Sequence, residues 1–164
     1  LDYLLVLATV EQLNRQNKNC DSALNTLLQL YTTATIDPMQ TIRELIGQGA
    51  DMNLLSLKTG FAPIHQAIES KLPDVLEALV LNGADINVLN EEEESALEMA
   101  ALANEVEMVT FLLSQEPNLD SSLIDEANGK RLYDVADLLA AYQRKQHLKI
   151  IGLAAKRRRT AGPF

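Results

Sequence analysis

Gly49-Ala50-Asp51-Met52-Asn53 returns as Gly83-Ala84-Asp85-Ile86-Asn87, a spacing of 34 residues. That recurrence decides how the chain on either side is read. A worn third copy stands at Glu116-Pro117-Asn118-Leu119-Asp120. A second landmark keeps nearly the same step: Ala62-Pro63-Ile64-His65-Gln66-Ala67 is followed, 33 residues on, by Ser95-Ala96-Leu97-Glu98-Met99-Ala100. Two landmarks on one period indicate a structural repeat of thirty-odd residues.

The stretches between the landmarks have the periodicity of helix pairs. Pro63 suits a first helical turn, where its missing N–H has no partner to lose, and Ile64, Ala67 and Ile68 recur at i, i+3, i+4. Asp74 opens a second helix with Val75, Leu76, Leu79 and Val80 on one face, ending before Gly83. The next unit repeats the pattern with Leu97, Ala100 and Ala101, then Val106, Met108, Val109, Leu112 and Leu113. One pair is too small to bury its apolar face, so stacking must close the core. Small Ala67 and Ala100 allow close approach of neighbouring helices.

These hexads, the Gly-Ala-Asp-x-Asn turns and the period together resemble the ankyrin repeat family. The resemblance is specific over residues 49–120 and looser over 21–53 and 121–149; Ala-Pro-Ile-His is a close match, whereas Ser-Ala-Leu-Glu replaces both Pro and His. It implies an all-α, ankyrin-type helical solenoid with short hairpin-like fingers and capping helices. The repeats are placed at about 21–53, 54–87, 88–120 and 121–149 within a repeat domain of residues 21–149. Ser22 to Thr33 and Pro38 to Ile46 read as the first helix pair. Residues 1–20 read as one more helix, the remnant of a preceding repeat, and residues 150–164 as a basic C-terminal tail. In the last unit Gly129 to Ala136 resembles a degenerate hexad, which makes Ser121 to Asn128 an inserted connection, and Val135, Leu138, Leu139 and Tyr142 mark a long final helix.

Composition agrees with a helical reading: the 164 residues are 47% hydrophobic but only 4% aromatic. The net charge of −9 is unevenly spread, with sixteen acids and three bases over residues 37–120 against four acids and nine bases over 121–164. An acidic body opposes binding to nucleic-acid phosphates, so no direct nucleic-acid contact is expected. No stretch approaches the roughly 18 apolar residues of a membrane span, and Leu1 to Val10 lacks the basic flank of a signal peptide. Cys20 is the only cysteine, which points to a buried apolar role in an intracellular, reducing compartment, cytoplasmic or nuclear. The chain begins at Leu1, not Met, and reads as a piece of a longer protein.

No catalytic constellation is present. His65 and His147 have no partner at a catalytic or zinc spacing, and no glycine-rich phosphate loop occurs, so no metal or cofactor is expected. The resemblance implies that His65 ties the hexad to neighbouring backbone. Glu91-Glu92-Glu93-Glu94 falls, by the same resemblance, at the tip of a finger, with Glu93 where the family usually has Gly. Such a residue in a left-handed turn costs on the order of 1 kcal/mol, so the run is either a drifted, solvated loop or a docking surface for a basic partner. Its spacing is not that of a calcium loop.

The candidate partner-binding residues are Leu57, Lys58 and Phe61 in the preceding finger, Gln66, Glu69 and Ser70 on the helix after it, Glu91, Glu92 and Glu94, and Leu102 beside Ala103. The resemblance implies that fingers and inner helices line one groove, with exposed Leu57, Phe61 or Leu102 as anchors. The alternative for each apolar residue is packing within the repeat. Arg144 and Lys145, followed at a distance by Lys156, Arg157, Arg158 and Arg159, resemble a two-part nuclear import signal read by an importin. Arg144, Lys145 and Lys149 also suit a helix C-terminus, and the tail could instead fold back on the acidic fingers.

The reading that follows is a monomeric, non-catalytic module that grips a protein, with some basic character in the partner. The alternative is the substrate-targeting arm of a larger enzyme, as in eukaryotic regulators and bacterial effectors, with its catalytic domain before Leu1. A purely structural spacer is a third reading, and it requires no apolar exposure on the groove.

Overall fold

The computed structural model describes residue 15, residues 22–30 and residues 38–160. The expected helix over residues 1–20, with Cys20, lies outside the described residues except for Arg15. The described chain is helical, in the order α1 (Ala23–Leu30), α2 (Pro38–Gly47), α3 (Pro63–Glu69), α4 (Pro73–Leu81), α5 (Ala96–Leu102), α6 (Val106–Ser114), α7 (Ser122–Gly129) and α8 (Tyr133–Thr160). It divides into two compact units between Pro117 and Asn118.

In the first unit each short helix packs on its neighbour in sequence: α1 on α2, α3 on α4, α5 on α6. Across repeats α1, α3 and α5 form one row and α4 packs on α6. Leu24, Leu28, Ile42, Ile64, Ile68, Leu76, Leu79, Leu97 and Leu112 are fully buried in this stack. Ala67 and Ala100 are also fully buried, and the absence of bulk there lets α3 and α5 approach closely.

The turn inside each pair has a common cause. Lys71 N–H donates to the Ile68 carbonyl and Leu72 N–H to Ala67; Asn104 and Glu105 do the same to Ala101 and Ala100. This pattern satisfies the last carbonyls of the first helix only if one residue is left-handed, and Lys71 (φ 55°) and Asn104 (φ 58°) are that residue. The second helix of each pair ends the same way on Gly49 (φ 90°) or Gly83 (φ 99°), and Glu116 (φ 55°) takes that position in the worn copy.

The repeated Asp-x-Asn spacing also has a physical reason. Asp51 Oδ1 accepts from Asn53 N–H at 2.8 Å and Asp85 Oδ1 from Asn87 N–H at 2.9 Å, each carboxylate closing its own turn. Asn53 Oδ1 then accepts from Asp85 N–H at 2.9 Å, which stitches one repeat's turn to the next.

The second unit corrects one expectation. Ser121 to Asn128 is not an inserted connection: it holds α7, the first helix of the final pair, packed on α8. Gly129 to Ala136, expected as the hexad, is the turn between the helices and the start of α8. Arg131 (φ 61°) matches Lys71 there, with Arg131 N–H bonded to the Asn128 carbonyl and Leu132 N–H to Ala127. The last repeat therefore lacks a finger altogether, because Asp120 leads straight into Ser121, the residue before α7. Asp120 Oδ1 accepts from Ser122 N–H at 3.1 Å, and bonds from Ser122 hold this carboxyl below the usual range. Leu123, Ala127, Val135, Ala136 and Leu139 form the buried seam of the pair. The segment expected as a tail from residue 150 continues α8 through Thr160.

Candidate functional site

The two fingers are built on two buried polar residues. In residues 54–61, Ser56 is buried and its Oγ accepts from Lys58 and Thr59 N–H at 3.3 Å each, while Gly60 N–H donates to the Ser56 carbonyl at 2.8 Å. In residues 88–94, Asn90 is buried and its Oδ1 accepts from Glu92 N–H at 2.9 Å and Glu94 N–H at 2.8 Å. Its Nδ2 donates to Glu94 Oε2 at 3.1 Å. A single antiparallel bridge, Leu89 with Ser95, closes the base of this second finger. One amide side chain thus ties down the backbone of the turn that carries four successive glutamates, against the repulsion expected of them.

The fingers lie side by side. Glu91 N–H donates to the Gly60 carbonyl at 3.2 Å, and the Glu91 side chain covers Gly60 so closely that a Cβ there would stand 2.9 Å from Glu91 Cβ. Gly60 is also left-handed (φ 71°), as is Glu93 (φ 62°) at the matching place in the next finger. Glu91, Glu92 and Glu93 point to solvent and Glu94 is half-buried. Among the described residues no three His, Cys, Asp or Glu side chains group as metal ligands.

Of the apolar candidates, Leu57 is 62% exposed at the first finger, whereas Phe61 and Leu102 are half-buried. Phe61 stacks obliquely on His65, with ring centroids 6.2 Å apart. Lys58 and Glu69 are exposed, as is Ala103; Gln66 and Ser70 are half-buried and bonded to each other, Gln66 Nε2 to Ser70 Oγ at 3.2 Å. Glu69, Ser70 and Leu102 sit at the far ends of α3 and α5, which each rise about 10 Å from the fingers.

Beneath the fingers, two different side chains do one job. His65 Nδ1 accepts from Ala62 N–H at 3.2 Å, at the start of α3. One repeat on, Glu98 Oε2 accepts from Ser95 N–H at 2.6 Å and from Ser95 Oγ at 2.8 Å, while Ser95 Oγ accepts from Glu98 N–H at 3.3 Å. The Ser-x-x-Glu pair is a capping box and explains the loss of Pro and His there. Burial pushes the His65 imidazole below the ordinary histidine range, against the opposing pull of the Val88 backbone and of Glu94. The Val88 contact falls short of hydrogen-bond geometry at Nε2.

Sequence reasoning missed Leu89, which is exposed on the second finger, and the organising role of Asn90. Leu89 carries no signal in one sequence; Asn90 does, as an Asn opening a charged turn. Arg144 and Lys145 are exposed on α8, while Lys156, Arg157, Arg158 and Arg159 lie on its helical backbone with side chains outside the described residues. No helix among the described residues is long and apolar enough to cross a membrane.

A family model described as ankyrin repeats, in three copies, matches residues 30–122 and 64–151. The chain is similar to the nuclear factor NF-kappa-B p105 subunit of Gallus gallus, 27% identical over 138 residues, which is 80% of this chain and 13% of that protein. It is also similar to the putative ankyrin repeat protein FPV031 of Fowlpox virus (strain NVSL), 30% identical over 115 residues, 67% of this chain and 32% of that one. The chain thus spans a minor part of either relative's length. Among solved structures it resembles the ankyrin repeat domain of Bcl-3, described as a unique member of the IkappaB protein family. The TM-score is 0.56 at 24% identity, over 65% of this chain and 44% of that one, a likeness of fold.

Proposed function

Because the chain belongs to the ankyrin repeat family, we propose that it acts as a non-catalytic module that grips a protein partner through its paired fingers and the α3–α5 row. The partner segment carries basic character. Domains of this family generally serve protein–protein interaction, and the observation that carries the finer reading is the finger pair itself. Gly60 and Glu91 lock the two tips together, and Leu57, Glu91 and Glu92 face solvent around that junction. An exposed leucine beside exposed carboxylates, all carried on a hydrogen-bonded backbone, is the arrangement a basic, partly apolar segment would recognise. An intracellular setting, cytoplasmic or nuclear, accords with a relative named as a nuclear factor.

The test is capture from cell extract at low and high ionic strength, with quantitative mass spectrometry. The wild type is compared with Glu91→Lys/Glu92→Lys and with Glu107→Lys, a reversal on the exposed side of α6. The proposal expects partners rich in basic segments, lost at high salt and lost in the finger variant, but kept by Glu107→Lys. Equal losses in both variants, or in neither, count against a finger-borne site. A targeting arm of a larger enzyme draws only on the relatives' greater length, and the reading frame upstream of Leu1 tests it.

A further inference from the structure

The outer helices α4 and α6 have nine residues each, whereas α8 has 28, so its second half has no counterpart in the other repeats. That half exposes large aliphatic side chains in quick succession: Leu148, Ile150, Ile151 and Leu153 are 52–69% exposed. At about 100° per residue, Leu148 and Ile151 share one side of the helix, and Ile150 and Leu153 share another, roughly 160° away. The second side continues the one on which Val135 and Leu139 are buried. Around them the charges have one sign: from Leu138 to Phe164 there is no Asp or Glu, but there are Arg144, Lys145, Lys149, Lys156, Arg157, Arg158 and Arg159.

We propose that residues 143–160 of α8 form a recognition helix that inserts into an apolar, carboxylate-rimmed cleft of a second, acidic protein. Charge complementarity selects an anionic occupant and opposes pairing of this helix with a second copy of itself. Apolar groups on two nearly opposite sides select a partner that surrounds the helix. A lipid surface would bury one side and leave the other in water, and a phosphate backbone offers neither side an apolar contact. The remaining class is helix-in-groove recognition by a protein, with aliphatic anchors inside and lysines and arginines meeting carboxylates at the rim. This surface shares no residue with the fingers and does not rest on the function proposed for them.

The full chain is titrated with calcium-loaded calmodulin, a general probe with a methionine-rich apolar groove. The variants are Leu148→Glu/Ile151→Glu, Ile150→Glu/Leu153→Glu and, as a control, Glu107→Lys on the exposed side of α6. Anionic phospholipid vesicles and duplex DNA are titrated in parallel, and circular dichroism establishes that each variant keeps its helix. The expected result is saturable one-to-one binding that weakens at least about tenfold in each aliphatic pair variant and is unchanged in Glu107→Lys. No binding to the probe overturns the proposal. So does loss from only one aliphatic pair, or tighter binding to vesicles or DNA than to the probe.

Discussion

Glu93 shows how one residue can be strained for the sake of its neighbours' positions. Its φ of 62° is the conformation that Gly60, at φ 71°, adopts without a side chain in the matching finger. Replacing Glu93 by Gly should raise stability by about 1 kcal/mol, as read by thermal or urea unfolding. Glu93→Ala removes the same charge but keeps the strain, so an equal gain in Ala would assign the effect to charge rather than backbone. The reverse change, Gly60→Ala, should cost about 1–2 kcal/mol from its φ alone, and more because the new Cβ meets Glu91. His65 gives a separate residue-level test. Burial favours its neutral form, so the unfolded chain binds the proton first as pH falls. Its stabilising share is complete above the unfolded value of 6.5 and is lost as pH drops below that toward the lower folded value. Unfolding midpoints measured from pH 7.5 downward should fall more steeply for the wild type than for His65→Gln. Parallel curves would mean that His65 is not held neutral.

Helix starts and turns decide how far the repeats could be read from one sequence. Pro63, the Gly83 turn and the small Ala67 were legible because each residue type answers a local geometric demand. Ser95 and Glu98 carry the same demand in a different chemistry, the capping box. Glu98→Ala should cost about 0.5–2 kcal/mol by chemical denaturation, and a neutral effect would show the box to be ornamental in solution. The last pair was misread because Leu123, Ile124 and Ala127 make too short an apolar run to announce a helix. The signal that could have placed it was Leu132-x-Asp134-Val135, which repeats Leu72-x-Asp74-Val75 at the start of the second helix. Without a finger before α7, the distance between landmarks changes, and a fixed period then assigns the turn to the wrong element.

For the molecule as a whole, the helical class and the solenoid family followed from the period, but the surface did not. Burial separated Leu57 from Phe61 and Leu102, although all three are apolar residues in comparable places. The acidic run was legible both as charge and as a candidate site, but the bonds to Asn90 and Gly60 that hold its backbone were not. Long-range steering by that run should make association with a basic partner fall with salt, mostly through the on-rate. The decisive quantity is the slope of log affinity against log salt for a captured partner, measured for the wild type and for Glu91→Lys/Glu92→Lys. A steep slope that flattens in the variant, with affinity reduced about tenfold or more at low salt, is expected if the paired fingers are the contact face. Identical slopes and affinities in the two proteins would place the partner elsewhere and end the claim.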